Sequence, residues 1–187
     1  ALRFLLSLDS RIYSLAGHHA VEYGKGDHVK HRLTGYVNHF VNLALEYEGP
    51  YLDIGCAQGH IAGRIAEKTS YPVIGIDINS EQIDRARSRF NRANLTFVNG
   101  DATQVSLTVH PATIILSNVY EHIEKRHLFL TDLINKYQPS HLLFRVPNFE
   151  RDWRIPLRRE LGMQYFQDPT HTIEHTPIEF ITEIESA

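Results

Sequence analysis

The stretch Asp53-Ile54-Gly55-Cys56-Ala57-Gln58-Gly59-His60 decides how the rest of the chain is read. The apolar run Tyr51-Leu52-Asp53-Ile54 leads into it, and Ile61, Ala62, Ile65 and Ala66 follow at helical spacing. The stretch is therefore a strand-to-helix turn built from small residues. Without bulky Cβ groups the backbone admits a ligand closely, and the amides that open the helix favour an anionic group. A dinucleotide fingerprint, G-x-G-x-x-G, is not met, because its second and third glycines fall on Ala57 and His60.

Outward from the turn the alternation continues. Pro72-Val73-Ile74-Gly75-Ile76 precedes Ile83, Ala86 and Phe90 at helical spacing, with Asn79 and Gln82 placed as a capping box. Leu95-Thr96-Phe97-Val98 reads as a third strand and Ala112-Thr113-Ile114-Ile115-Leu116 as a fourth. Residues 124–137 read as a helix and residues 141–146 as a fifth strand. Near-continuous apolar strands separated by helices imply a doubly wound, mostly parallel α/β sheet covered on both faces. Two segments lie outside the alternation. Residues 1–48 read as helices, with Leu33, Tyr36, Val37, Phe40, Val41 and Ala44 on one apolar face. Residues 147–175 are rich in Pro, Arg and aromatic side chains and weakly periodic, and a last helix is announced by Thr176, Pro177 and Glu179.

Composition excludes several classes. The 187 residues are 42% apolar and 22% charged, with a formal net charge of −3, which is ordinary globular arithmetic. No basic excess is present to neutralise phosphates, so no nucleic-acid partner is expected. Cys56 is the lone cysteine, which rules out an intrachain disulfide and suits a reducing compartment. The opening apolar run is too short for a signal segment, and no run reaches the ~20 residues that span a bilayer. A cytoplasmic chain with no membrane partner is the expectation. The first residue is Ala and the last segment stops abruptly at Ala187, so trimming at either end is also expected.

The chemistry-bearing residues sit at strand ends. Asp77 closes the second strand, twenty-two positions after Gly55, where a carboxylate can accept both hydrogen bonds of a ribose diol. Asp101 follows the third strand beside Gly100, and Asn118 and His122 follow the fourth. Among the twelve histidines, His171 and His175 stand four apart, but Pro169 and Pro177 bracket them and disfavour a helix presenting both rings. No metal site is expected. Arg151, Arg154, Arg158 and Arg159 read either as holders of an anionic ligand or as a solvated face. Cys56 reads as a small buried filler, since no activating partner is discernible.

These segments, in order, resemble the class I S-adenosylmethionine-dependent methyltransferase family. The turn resembles its D-x-G-x-G-x-G motif with Ala57 in place of the middle glycine. Asn99-Gly100-Asp101-Ala102 resembles its G-D-A segment, and Ser117-Asn118-Val119-Tyr120-Glu121-His122 its S-N-V-L-E-H segment. Lys30-His31-Arg32-Leu33, Val146-Pro147-Asn148-Phe149 and Asp168-Pro169-Thr170-His171 resemble a bacterial subgroup whose members often sit among sugar-modifying enzymes. The resemblance implies one methyltransferase domain over residues 1–187: a helical cap at 1–48, a donor-binding core at 49–146 and an acceptor-side segment with a last helix at 147–187. The family sheet normally closes with two further strands, which this sequence does not reach. The implied cofactor is S-adenosylmethionine, held by His31, Asp53, Gly55, Cys56, Ala57, Gly59, Asp77, Ile78, Asp101, Ala102 and Asn118. A small-molecule acceptor, possible sugars included, is implied as the partner, with His122 or His171 taking the proton of a hydroxyl acceptor. The other readings are a nicotinamide-dependent oxidoreductase and a non-catalytic donor-binding domain. The oligomeric state is not legible.

Overall fold

The computed structural model describes residues 1–187 apart from Asp27, Gln167 and Ala187, and of His31 the backbone alone. The chain opens with α1 (Leu2–Tyr23), α2 (Lys30–Leu33) and α3 (Tyr36–Ala44). The alternating core follows as β1 (Tyr51–Ile54), α4 (His60–Ala66), β2 (Val73–Asp77), α5 (Ser80–Arg89), β3 (Leu95–Asn99), β4 (Thr113–Ser117), α6 (Arg126–Tyr137) and β5 (His141–Arg145). It ends with α7 (Arg154–Glu160) and α8 (Pro177–Glu185). The strands form one five-stranded sheet in the order β3-β2-β1-β4-β5, and each pairing is parallel.

The period-two alternation of side chains feeds two cores. Tyr51, Val73, Phe97, Ile115 and Leu143 point to the face covered by Val37, Phe40 and Val41 of α3, Ile65 of α4 and Ile83 of α5. Leu52, Ile54, Ile74, Ile76, Ile114 and Leu116 point to the opposite face, where Leu133 and Tyr137 of α6 cover them. The doubly wound expectation holds. Of the apolar face read across residues 33–44, Val37, Phe40, Val41 and Ala44 are buried, but Leu33 is 71% exposed because α2 ends before the packed turn of α3 begins.

Two expectations need correction. The weakly periodic segment 147–175 contains α7, whose start is closed by the Asp152 carboxylate accepting the Arg154 N–H at 2.9 Å. Arg151, Arg154 and Arg158 are neither a solvated face nor a free anion cradle, whereas Arg159 stays exposed over the Phe149 ring. Arg158, 8% exposed, donates to the Leu6 carbonyl at 2.9 Å, to Asp9 Oδ2 at 2.8 Å and to the Ser10 hydroxyl, so it ties α7 to α1. Arg154 pairs with Asp9 and Asp152, and Arg151 with Glu174.

Asp53 is the polar member of β1 and only 2% exposed. Its Oδ2 accepts the Ala62 N–H at 3.1 Å. Burial pushes its carboxyl up to about 7, opposed by that amide and reinforced by the charge of Asp77. A carboxyl raised above its unfolded value (about 3.9) stabilises the fold fully below that value, and the contribution fades as pH rises through about 7. Stability contributed at this site should therefore fall between roughly pH 4 and 7. Asp53→Asn, which keeps the shape, should flatten that part of a urea-midpoint profile; an unchanged slope would place the titration elsewhere. Arg158→Ala should weaken α1 docking by about 1.5–3 kcal/mol, the range for hydrogen bonds to a charged group. Proteolysis within α1 should then accelerate roughly 10- to 150-fold while the sheet stays folded, and an unchanged cleavage rate would show that other contacts hold α1.

Candidate donor cavity and acceptor wall

The carboxyl ends of β1, β2, β3 and β4 open onto one cavity of about 550 Å³. The turn after β1 forms its floor. Gly55 sits at φ 67°, and a Cβ there would lie 2.4 Å from Val119 Cγ2. Gly59 sits at φ 76°, and a Cβ there would lie 2.5 Å from the Phe97 ring. Between them Ala57 adopts φ 45°, a left-handed conformation that disfavours a side chain. What holds it is Asp77. Its Oδ2 accepts the Ala57 N–H and its Oδ1 the Asn79 N–H, each at 2.8 Å. Asn79 in turn caps α5 by accepting the Glu81 and Gln82 amides. The reciprocal half of the expected capping box is missing, because Asp77 already occupies the Asn79 N–H; Gln82 Oε1 is buried without a partner.

The cavity walls combine acids with apolar surface. Asp101 is fixed by the Thr103 amide and hydroxyl, both 2.8 Å from its Oδ1. Asp77, Asp101 and Asp132 outnumber Lys125, while Ile78, Val119, Leu128 and Phe129 supply apolar area. Asn118 turns the chain at φ 58° and donates its N–H to the Arg145 carbonyl at 2.8 Å. Of the residues expected to hold a donor, Gly55, Asp77, Ile78, Asp101, Ala102 and Asn118 line the cavity. Asp53, Cys56, Ala57 and Gly59 are not among the lining; they shape the turn beneath it. The Cys56 thiol is buried, and burial first, then the charges of Asp53 and Asp77, push its pKa far up, which makes it inert. The His31 side chain lies outside the described residues.

The wall on which an acceptor is expected follows β4. Tyr120–His122 form a short 3-10 turn, and Thr172 donates its N–H to the Glu121 carbonyl at 2.8 Å, which pins the 168–176 segment against it. His175 and Arg126 both donate to Glu183, at 2.7 and 2.9 Å, and the Tyr120 hydroxyl does so at 3.0 Å. Burial opposes ionisation of Glu183, yet these three donors outweigh it and hold its carboxyl at about 2. So anchored, the segment brings the His171 ring to 4.7 Å from that of His122, centre to centre. His122 lines the cavity, and burial first, then neighbouring His171, lowers its pKa. Both histidines expected on the acceptor side thus stand together, while His175 faces Glu183. Sequence reasoning passed over Glu121, which is buried beside them; its one signal is its place in the segment between β4 and His122.

Known proteins share this architecture. A family profile described as a methyltransferase domain matches residues 52–138. A fatty-acid O-methyltransferase of Mycolicibacterium smegmatis is 33% identical over 111 residues, covering 54% of this chain and 40% of that protein. An N-demethylindolmycin N-methyltransferase of Streptomyces griseus is 38% identical over 68 residues, covering 34% of this chain and 29% of that protein. The chain thus spans less than half the length of these relatives. Among solved structures, a magnesium protoporphyrin IX methyltransferase of Synechocystis PCC 6803 with bound S-adenosylhomocysteine superposes with TM-score 0.64 at 17% identity, over 85% of this chain and 73% of that one. A small RNA methyltransferase reaches the same score at 21% identity, over 82% of this chain and 21% of that one. At such identities the two structures speak for the fold, and the matched span 52–138 contains the turn, Asp77 and Asp101. Residues 52–138 thus match a methyltransferase-domain family, and the sheet around them has the Rossmann-like fold of S-adenosylmethionine-dependent methyltransferases.

Proposed function

We propose that this chain transfers the methyl group of S-adenosylmethionine to a small-molecule acceptor. The observation that carries the reading is the convergence of Gly55, Asp77, Asp101 and Asn118, from four successive strand ends, on one cavity of about 550 Å³. Its volume is in the range of small-molecule sites, about 300–1,000 Å³. Its acidic lining suits a ligand carrying a sulfonium and an ammonium better than one carrying a pyrophosphate.

The protein's own groups do most of the positioning. Asp77, held by two backbone amides, keeps a lone pair on each oxygen for a ribose diol. Asp101, oriented by Thr103, faces the adenine side, and Ile78 lies along the rim at 81% exposure. The bound donor supplies a methyl already activated by positive sulfur. The acceptor's lone pair forms the new bond to that carbon, the S–CH3 bond breaks with its electron pair left on sulfur, and the proton of a hydroxyl acceptor passes to the imidazole of His122 or His171. Alignment supplies a large share of the barrier reduction. His122 and His171 are the side chains that meet the acceptor. The relatives named for fatty-acid and indolmycin-type acceptors support a small molecule over a nucleic acid, as does the formal net charge of −3.

Calorimetry should show S-adenosylmethionine and S-adenosylhomocysteine binding at one per chain, with no response to NAD; tight NAD binding alone would overturn the proposal. Asp77→Ala should weaken S-adenosylhomocysteine by about 1–3 kcal/mol, roughly 5- to 150-fold in Kd. Full affinity in the folded variant would place the ribose elsewhere. With carboxyl, hydroxyl and amine acceptors screened for methyl uptake, His122→Ala should lose about 100-fold or more in turnover. Its S-adenosylhomocysteine affinity should change little, and near-full turnover would remove His122 from the acceptor side.

A further inference from the structure

Glu121 is out of place by ordinary rules. Its side chain is buried, with the residue 1% exposed, and among the described residues neither carboxylate oxygen meets a hydrogen-bond donor from another residue. An ionised carboxylate buried without donors costs several kcal/mol unless a charge compensates it. The Arg145 guanidinium is near enough to help electrostatically, but it stacks 3.8 Å from the Tyr36 ring centre and donates to Ser117. Beside Glu121 stand the like charge of Glu174 and a pair of imidazoles. One donor atom from each of Glu121, His122 and His171 lies within 4.8 Å of the other two.

The surrounding hydrogen bonds set the tautomers of both rings. The Thr170 hydroxyl donates to Asp168 Oδ1 at 2.7 Å, so its oxygen, 2.9 Å from His122 Nδ1, accepts from that nitrogen. His171 Nδ1 lies 2.9 Å from Glu174 Oε1, and a carboxylate only accepts, so this nitrogen also carries the proton. Glu174 is itself fixed by Arg151. Nε2 is therefore the lone-pair atom of both rings. A carboxylate or hydroxyl behind each ring is the arrangement that orients metal-bound histidines and raises their basicity.

We propose that Glu121, His122 and His171 bind one divalent transition-metal ion at the edge of the donor cavity, with positions left open for oxygen ligands. Side-chain rotations bring such a cluster to the ~2.0–2.2 Å bonds of a metal site. Two imidazoles select zinc, iron, nickel or cobalt over magnesium and calcium. Three protein ligands leave the site open, and His122 lines the cavity, so the open positions border the place where an acceptor enters. Sequence spacing pointed elsewhere, since it weighed His171 with His175 and found no site. In the fold His175 goes to Glu183, and His171 joins a partner 49 positions upstream. An ion bound here would compete with the acceptor's proton for the two Nε2 lone pairs. The site rests on this geometry alone and holds whichever small molecule is methylated.

The test is a Co2+ titration of the chelator-treated full chain, read by visible absorption and by proton NMR. Saturation at one Co2+ per chain is expected, with Zn2+ displacing it and Mg2+ not. Two solvent-exchangeable, paramagnetically shifted signals should appear, one for each Nδ1–H. Glu121→Gln and His171→Ala should each weaken Co2+ at least tenfold, while the double variant His18→Ala/His19→Ala, on exposed α1 positions, should bind as the parent does. No saturable uptake overturns the proposal, as does uptake that survives both site variants or disappears in the α1 variant. If the site variants fail to fold, the parent's two shifted signals decide, and their absence overturns it. S-adenosylhomocysteine calorimetry on the same samples keeps the readings apart: loss of donor binding with Co2+ uptake intact sinks the methyl-transfer reading and leaves the metal site standing.

Discussion

The Asp77 carboxylate is the joint on which the cavity at the strand ends depends. One oxygen grips the amide of Ala57 in the β1–α4 turn, the other the amide of Asn79 in the β2–α5 turn. Two loops separated by a strand and a helix are thereby held at a fixed spacing. The clamp also offsets the left-handed strain at Ala57, where a glycine would sit without penalty. In the proposed reading the lone pairs that remain after both amides are satisfied are the ones a diol would meet.

A second constraint works from below. The Phe97 ring of β3 fills the space that Gly59 and Gly75 leave by having no side chain, so the turn, β2 and β3 are pressed together around one aromatic ring. Cys56 seats its amide on the Ile76 carbonyl at 3.0 Å within the same layer. The small residues of the turn thus serve packing as directly as they serve ligand approach. This explains why several of them lie beneath the cavity and not on its surface.

The sheet was legible because parallel strands buried on both faces read as unbroken apolar runs, as Val73-Ile74-Gly75-Ile76 and Thr113-Ile114-Ile115-Leu116 do. The cavity lining was legible in part, because Gly55, Asp77, Asp101 and Asn118 follow strand ends at spacings that one helix and one strand dictate. Illegible were the features made by partners far apart in the chain. Arg158 looks like any surface arginine until α1 closes on it, and Glu121 looks solvated until the 168–176 segment covers it. The half-formed cap at Asn79 failed for a related reason. The competing acceptor, Asp77, lies outside the four-residue box that local reading inspects. Long-range pairing leaves no periodic trace in sequence, so ion pairs and the acceptor wall emerge only when the fold is assembled.

The attachment of α1 has a consequence for how the molecule breathes. Among the described residues of this 22-residue helix, only Leu6 is buried, and the Arg158 bonds gather at Leu6, Asp9 and Ser10. The remainder of the helix shares little with the two cores that stabilise the sheet. Its amides therefore belong to a separate cooperative unit, one that opens and recloses without unfolding the sheet. Hydrogen exchange would then divide the chain into two populations, a fast one at the amino end and a slow one centred on β1, β2 and β4.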